Sequence, residues 1–183
     1  METLARPAFR RIVLTGPESV GKTTLAARIA AHYGVEHVPE FVREYAAAKG
    51  APLDFRDHGP IAKGHMAMED EHRARAESRG DSIMVQDTDL VSTVVYCHHY
   101  FGRCPAFIEE AAVERRAHLY LLLDIDVPWV ADGVRDRGEQ REEMHALFAA
   151  TLARFEAPVA RIGGSWDARF ERALQAIESL PLA

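Results

Sequence analysis

The stretch Gly16-Pro17-Glu18-Ser19-Val20-Gly21-Lys22-Thr23 fits G-x-x-x-x-G-K-[S/T], and nothing else in the chain constrains it as tightly. Arg11-Ile12-Val13-Leu14-Thr15, just before it, is a short apolar, β-branched run that reads as a strand. The residues that follow, Thr24 to Tyr33, carry Leu25, Ile29 and Tyr33 at helical spacing. Strand, glycine loop and helix in that order form a phosphate cradle. The glycines let the backbone turn its N–H groups inward, and the helix start adds free N–H groups and the positive end of its dipole. The expected ATP contacts are Gly16, Glu18, Ser19, Val20, Gly21, Lys22, Thr23 and Thr24. Within them Lys22 is expected to reach the β- and γ-phosphates, and the Thr23 hydroxyl to ligate Mg²⁺.

At 183 residues and 48% hydrophobic content the chain is long and apolar enough for one ordinary domain. Its formal net charge of -6 is spread out with no basic block, which disfavours nucleic acid as a partner. No apolar run reaches the length of a membrane span, and no signal-like segment opens the chain, so a cytoplasmic location is expected. Cys97 and Cys104 form no CxxC pair and lack structural-zinc spacing. Val91, Val94, Val95 and His98 read instead as one helix face.

Further along, apolar runs at 35–39, 82–86, 118–124 and 158–162 read as strands, alternating with helical stretches at 40–49, 54–79, 90–101, 107–116, 139–155 and 166–180. Gly59-Pro60 marks a break in the longest of these, and its charge run 69–75 reads as a solvated face. This alternation implies an α/β fold, a P-loop NTPase or nucleoside-kinase-like three-layer α/β/α architecture. Its parallel five-stranded sheet has the expected order 2-3-1-4-5, within a single domain over 1–183. Ligands in such sheets bind at the carboxyl ends of the strands.

Asp87 follows an apolar strand in the manner of a Walker B aspartate and is expected to orient the metal shell, with Thr23 as the other metal-side residue. Asp89 is a candidate for the same task or for a polyol substrate, and either aspartate also suits a helix N-cap. Phosphoryl transfer to an alcohol wants a carboxylate at the acceptor hydroxyl. Glu40, just past the second strand, is one candidate base and Asp87 the other, while Glu44 shares a helix face with Glu40. The polar segment at about 126–141 is expected to form a lid bracketed by Gly133 and Gly138. Arg135, Arg137 and Arg141 within it suit the charge that spreads over a transferred phosphoryl group, Arg135 first among them. Gly163-Gly164-Ser165 offers backbone to adenine, or simply turns.

Taken in order, the P-loop, Ile61-Ala62-Lys63-Gly64-His65, Asp87-Thr88-Asp89, Pro128-Trp129-Val130-Ala131-Asp132-Gly133 and Asp167-Ala168-Arg169-Phe170 resemble the ribosylnicotinamide kinase domain of the NadR family. The resemblance runs from about Arg11 to Glu178, and the Pro-Trp-Val-Ala-Asp-Gly hexamer is its most specific piece. It implies ATP- and Mg²⁺-dependent phosphorylation of the 5′-hydroxyl of nicotinamide riboside. By the same resemblance Glu40, Arg43, Glu44 and Tyr45 lie near the acceptor, and Asp87, Asp89, Trp129 and Asp132 lie around substrate and lid. A pyridinium cation is attracted to an aromatic face, which Tyr45 or Trp129 would supply. Pro39 stands where the family pattern has a tryptophan before Glu40. Longer family members add DNA-binding and adenylyltransferase regions, for which this chain is expected to have no room. Two rivals are a kinase for another nucleoside or polar metabolite, and a regulatory module with slow ATP turnover.

Overall fold

The computed structural model describes residues 9–127 and 140–181. The first strand, β1 (Arg10–Thr15), lies at the centre of a parallel sheet, with β3 (Ile83–Asp87) on one side and β4 (Leu119–Leu123) on the other. At the two edges are β2 (His37–Val38), paired to β3, and β5 (Val159–Ile162), paired to β4. The order is β2-β3-β1-β4-β5, as the alternation of elements led one to expect. Register brings Leu14 level with both Asp87 and Leu121, so the P-loop leaves the sheet beside the end of β3.

Helices α1 (Lys22–Tyr33) and α7 (Trp166–Glu178) cover one face. Alternate strand positions point that way, and Ile12, Leu14, Val85 and Leu121 pack there with Leu25, Ile29, Ala173 and Ile177. The opposite face takes Val13, Tyr120 and Leu122, packed with residues of α4 (Leu90–Phe101), α5 (Ala106–Glu114) and α6 (Arg141–Arg154). Both α2 (Phe41–Lys49) and α3 (His58–Arg79) complete that layer near the β2 edge.

Gly59-Pro60 does not break the long helix. It lies in the first turn of α3, where a helix needs no N–H from its residues and proline is tolerated. The irregularity comes earlier, as one 3₁₀ turn at Phe55–Asp57, closed by a reciprocal cap. Asp54 Oδ1 accepts from Arg56 N–H at 2.7 Å, and Asp57 Oδ2 accepts from Asp54 N–H at 2.6 Å. The charge run is only partly solvated. Arg73–Glu77 and Arg75–Glu71 are exposed pairs, but Glu69 turns inward and is buried. His98 likewise leaves the valine face of α4. It is exposed and pairs with Glu109 at 2.6 Å, while Cys97 takes the inward position. Among the described residues no helix is long and apolar enough to cross a membrane.

Candidate active site

The P-loop backbone demands its glycines. Gly16 has φ +132°, and a Cβ there would lie 3.1 Å from the Leu123 carbonyl. Gly21 has φ +88°, and a Cβ there would lie 2.3 Å from the Trp166 indole. Between them Ser19 also turns through positive φ, at +55°. Val20 is buried in the core, which pins the middle of the loop from beneath. Glu18 and Ser19 are half-buried and Thr24 is exposed at the start of α1. Lys22 folds back across the loop, donating from Nζ to the carbonyls of Gly16 (3.0 Å) and Pro17 (2.7 Å).

Arg169 holds this loop from below. Its side chain is 0% exposed, and it donates from Nη1 to the Val20 carbonyl at 2.9 Å. The remaining donors reach the carbonyls of Gly164 (3.0 Å) and Asp124 (2.9 Å), and Nη2 is ion-paired to Asp126. One guanidinium thus joins the P-loop to the ends of β4 and β5. The geometry suits arginine's planar fork of donors, which lysine does not offer.

Asp87 ends β3 at 1% exposure. Its Oδ2 accepts from the Thr23 hydroxyl at 2.5 Å, while its Oδ1 is buried without a hydrogen bond. Burial raises its pKa, Lys22 and the Thr23 hydroxyl lower it, and the Glu40 carboxylate raises it again. A hard cation fits this donor set. A magnesium ion keeps water and phosphate oxygens and needs few protein ligands, and here Thr23 and Asp87 are side by side with one carboxylate oxygen unsatisfied.

Glu40 occupies the cap position of α2 without capping it. Its carboxylate is 8% exposed and accepts from Arg43 Nε at 2.5 Å, while the arginine remains 52% exposed. Glu44 is exposed on the next turn. The Tyr45 hydroxyl donates to Asp57 Oδ1 at 2.9 Å. The Asp54 N–H, then Lys49 and Tyr45, hold the Asp57 carboxyl down at about 2. Tyr45 is therefore tied by its hydroxyl to the turn before α3.

Of the roles the sequence offers Asp89, the structure describes the cap. Oδ1 accepts from Val91 N–H at 2.9 Å as the N-cap of α4, and Oδ2 accepts from the Tyr120 hydroxyl at 2.6 Å. The residue is buried, so its carboxylate faces inward, and the capping alternative describes it.

Trp129, Asp132, Arg135 and Arg137, with Gly133 and Gly138, lie outside the described residues. Arg141 is described, as the first residue of α6. Its Nη1 donates to the Val127 carbonyl at 3.0 Å, while Nε and Nη2 are buried without a hydrogen bond. Burial first, then Arg169, lowers its pKa against the pull of Asp126. It lines a crevice with Pro17 and Glu18 of the P-loop and Tyr96 and His99 of α4. Unused guanidinium N–H groups beside a phosphate loop are suited to an anion.

Sequence reasoning missed a chain of polar groups beneath the site. Arg11 is ion-paired to Glu69 and donates from Nη1 to Gln86 Oε1 at 3.1 Å. Glu69 Oε1 also accepts from Arg115 Nη2 at 2.9 Å. His65 Nε2 lies 3.2 Å from the Thr88 carbonyl. A signal was present, because Ile61, Ala62, His65 and Glu69 recur at the spacing of one buried helix face. Arg169 had no comparable signal, since one arginine inside an amphipathic helix reads as exposed.

A family model described as an AAA domain matches residues 11–169. The trifunctional NAD biosynthesis/regulator protein NadR of Escherichia coli strain K12 is 30% identical over 186 residues, covering 97% of this chain and 44% of that protein. The same protein from Salmonella typhimurium is 28% identical with the same coverage. The chain thus spans under half the length of the curated relatives it matches. A crystal structure of NadR in complex with NR superposes with TM-score 0.82 at 24% identity, over 94% of this chain and 51% of the other. NadR with NAD and AMP-PNP gives 0.76 at 22% identity, over 96% and 50%. A thymidylate kinase from Ehrlichia chaffeensis gives 0.61 at 17%, over 94% and 99%, which shares the fold alone. With the P-loop and the 2-3-1-4-5 sheet, these findings make the chain a member of the AAA domain family with the P-loop kinase fold.

Proposed function

We propose that the chain is an ATP-dependent kinase of nicotinamide riboside, giving nicotinamide mononucleotide. The observation that carries this reading is the contact of Asp87 with Thr23 at the start of α1, with the inward-turned Glu40 carboxylate at the start of α2 acting on Asp87 through its charge. One carboxylate serves the metal side and the other the acceptor side, as phosphoryl transfer to an alcohol requires. The NadR resemblance supports the choice of riboside, since E. coli NadR aligns along 97% of this chain and a NadR protein binds NR.

In this reading the P-loop N–H groups and Lys22 hold the triphosphate. Glu40 accepts the proton of the riboside 5′-hydroxyl as its oxygen forms a bond to the γ-phosphorus. The bond from that phosphorus to the β-phosphate oxygen breaks, and ADP leaves. Thr23 and Asp87 would hold Mg²⁺, which supplies charge neutralisation on the phosphate oxygens when bound. Arg43 orients Glu40 through the 2.5 Å contact. Arg141, with Arg135 and Arg137 from the lid segment, offers donors to the transferred group. Glu44, Tyr45, Trp129 and Asp132 belong to the riboside side.

The test is ADP release with Mg·ATP over a panel of nicotinamide, nicotinic acid, adenosine, cytidine, uridine and thymidine ribosides. Stimulation by nicotinamide riboside, with a product one phosphate heavier, is the expected outcome. Stimulation by another nucleoside keeps the kinase and discards the substrate. Slow hydrolysis indifferent to every riboside discards both in favour of a nucleotide-dependent module.

A further inference from the structure

Helix α3 contributes none of the groups assigned to the phosphates or the acceptor, yet it touches both junctions that carry the two carboxylates. The first contact is at Gly64. A Cβ built there would lie 2.1 Å from Cζ and 2.3 Å from Cε1 of Phe41, so the phenyl ring sits directly on the glycine backbone. Phe41 is the first residue of α2 and follows Glu40 in the chain. Gly64 and Phe41 are both half-buried, so a methyl added at Gly64 is met by the ring of Phe41, which must swing away and take the start of α2 with it or lose its seat.

The second contact is at the next residue. His65 is 3% exposed, and its Nε2 lies 3.2 Å from the carbonyl of Thr88. Thr88 sits between Asp87 and Asp89 with φ +64°, a left-handed conformation that a β-branched residue adopts at a cost. Such a conformation persists only where its surroundings hold it. Here the Thr88 N–H donates to the Leu14 carbonyl at 3.0 Å, and the Asp89 carboxylate caps α4 just beyond. Gln86 Oε1 accepts from Arg11, and the Gln86 amide nitrogen lies 3.3 Å from Glu69 and 3.0 Å from His65 Nε2. His65 Nε2 faces both groups and serves one at a time: unprotonated it accepts from the Gln86 amide, and protonated it donates to the Thr88 carbonyl while Gln86 keeps Glu69 as its acceptor.

We propose that Gly64 and His65 are a positioning pair that fixes Glu40 and Asp87 relative to one another from a single helix. Gly64 seats the α2 end through Phe41, and His65 seats the β3–α4 turn through Thr88. Gly64 acts on the acceptor side through Glu40 and His65 on the metal side through Asp87, while the P-loop itself is anchored from the other face by Val20 and Arg169. The proposal rests on the kinase reading above.

The test compares Gly64→Ala, Phe41→Leu, the double variant, His65→Gln and His65→Leu. Each is measured for riboside-dependent kcat and KM, for ATP affinity by titration without riboside, and for Tm. Gly64→Ala is expected to lower kcat about 10- to 100-fold, the scale set by an ångström of misplacement, with ATP affinity unchanged. Phe41→Leu loosens the same seat and lowers kcat less, while the double variant recovers most of the loss because the smaller side chain makes room for the new methyl. His65→Gln retains an amide N–H donor and most of kcat, whereas His65→Leu loses it. An unchanged kcat in folded Gly64→Ala, no recovery in the double variant, or equal losses in the two His65 variants overturns the pair. If Gly64→Ala does not fold, Phe41→Leu and the His65 variants decide alone. Wild-type turnover indifferent to every riboside overturns the kinase reading and the pair's role with it.

Discussion

The two faces of the sheet are buried in different ways, and the difference follows the two halves of the site. Beneath the P-loop, the α1–α7 face is aliphatic: Ile12, Leu14, Leu25, Ile29, Ala173 and Ile177, with Arg169 as its buried charge. Beneath the carboxylates, the α3–α4 face mixes an apolar cluster with Arg11, Glu69, Gln86, His65 and Asp89. Dispersion packing fixes where an element sits but is indifferent to small rotations of a side chain. Hydrogen bonds fix direction. A phosphate cradle made of backbone needs the first kind of support, and two carboxylates aimed at different partners need the second.

The largest effect is expected where neither face is touched. Lys22→Ala removes the cation of the cradle and should lower turnover by at least about 10²–10³-fold while leaving Tm near the wild-type value. Near-normal rates would remove the P-loop from the mechanism and leave the comparison of the faces without a functional meaning.

Next come two substitutions that destabilise by similar amounts on opposite faces and should part company in binding. Glu69→Ala removes the nearer of the two carboxylates paired with buried Arg11, leaving Asp89 at 3.9 Å, and is expected to cost about 3 kcal/mol by denaturant unfolding. Arg169→Met keeps much of the volume but strands the carbonyls of Val20, Gly164 and Asp124, at a cost of about 3 kcal/mol or more. Only the Arg169 variant should also lose ATP affinity, because only it frees the loop at Val20. Equal ATP affinities in the two folded variants would show that the faces do not divide the site as described.

The phosphate half was legible because its chemistry is local. A glycine loop, its lysine and the strand and helix around it lie within residues 11–33, and Asp87 needed only an apolar strand before it. The other half depends on which way α3 turns. Glu69 sits in a run of charges that mostly do face water, and only its spacing from Ile61, Ala62 and His65 distinguishes it from Glu71. The partner that buries it, Arg11, is 58 residues away in sequence. Asp89 was half legible for a related reason: its suitability as a cap is local, whereas its second partner, Tyr120, lies on another strand. Pro60 was misleading, since the same residue that ends a helix also begins one well.

The smallest effect expected is one of acid. Burial, foremost, lowers the pKa of His65, against the pull of Asp89 and Glu69 and with the help of Arg11. His118 and His145 are lowered by burial too. When the folded pKa lies below the unfolded one, the unfolded chain takes up the proton first as pH falls. The stability these residues contribute is therefore whole above the unfolded value of about 6.5 and is lost as pH drops through it. Urea midpoints measured from about pH 8 down to about pH 5 should fall for the wild type, and fall less steeply for His65→Gln. The Lys22 variant, altered away from this polar chain, should follow the wild-type slope. If His65→Gln declines as steeply as the wild type, then His65 takes its proton in the folded state without penalty. The polar chain beneath the carboxylates would then be open enough to accept a charge, and the contrast between an aliphatic face and a rigidly directed one would fail at its centre.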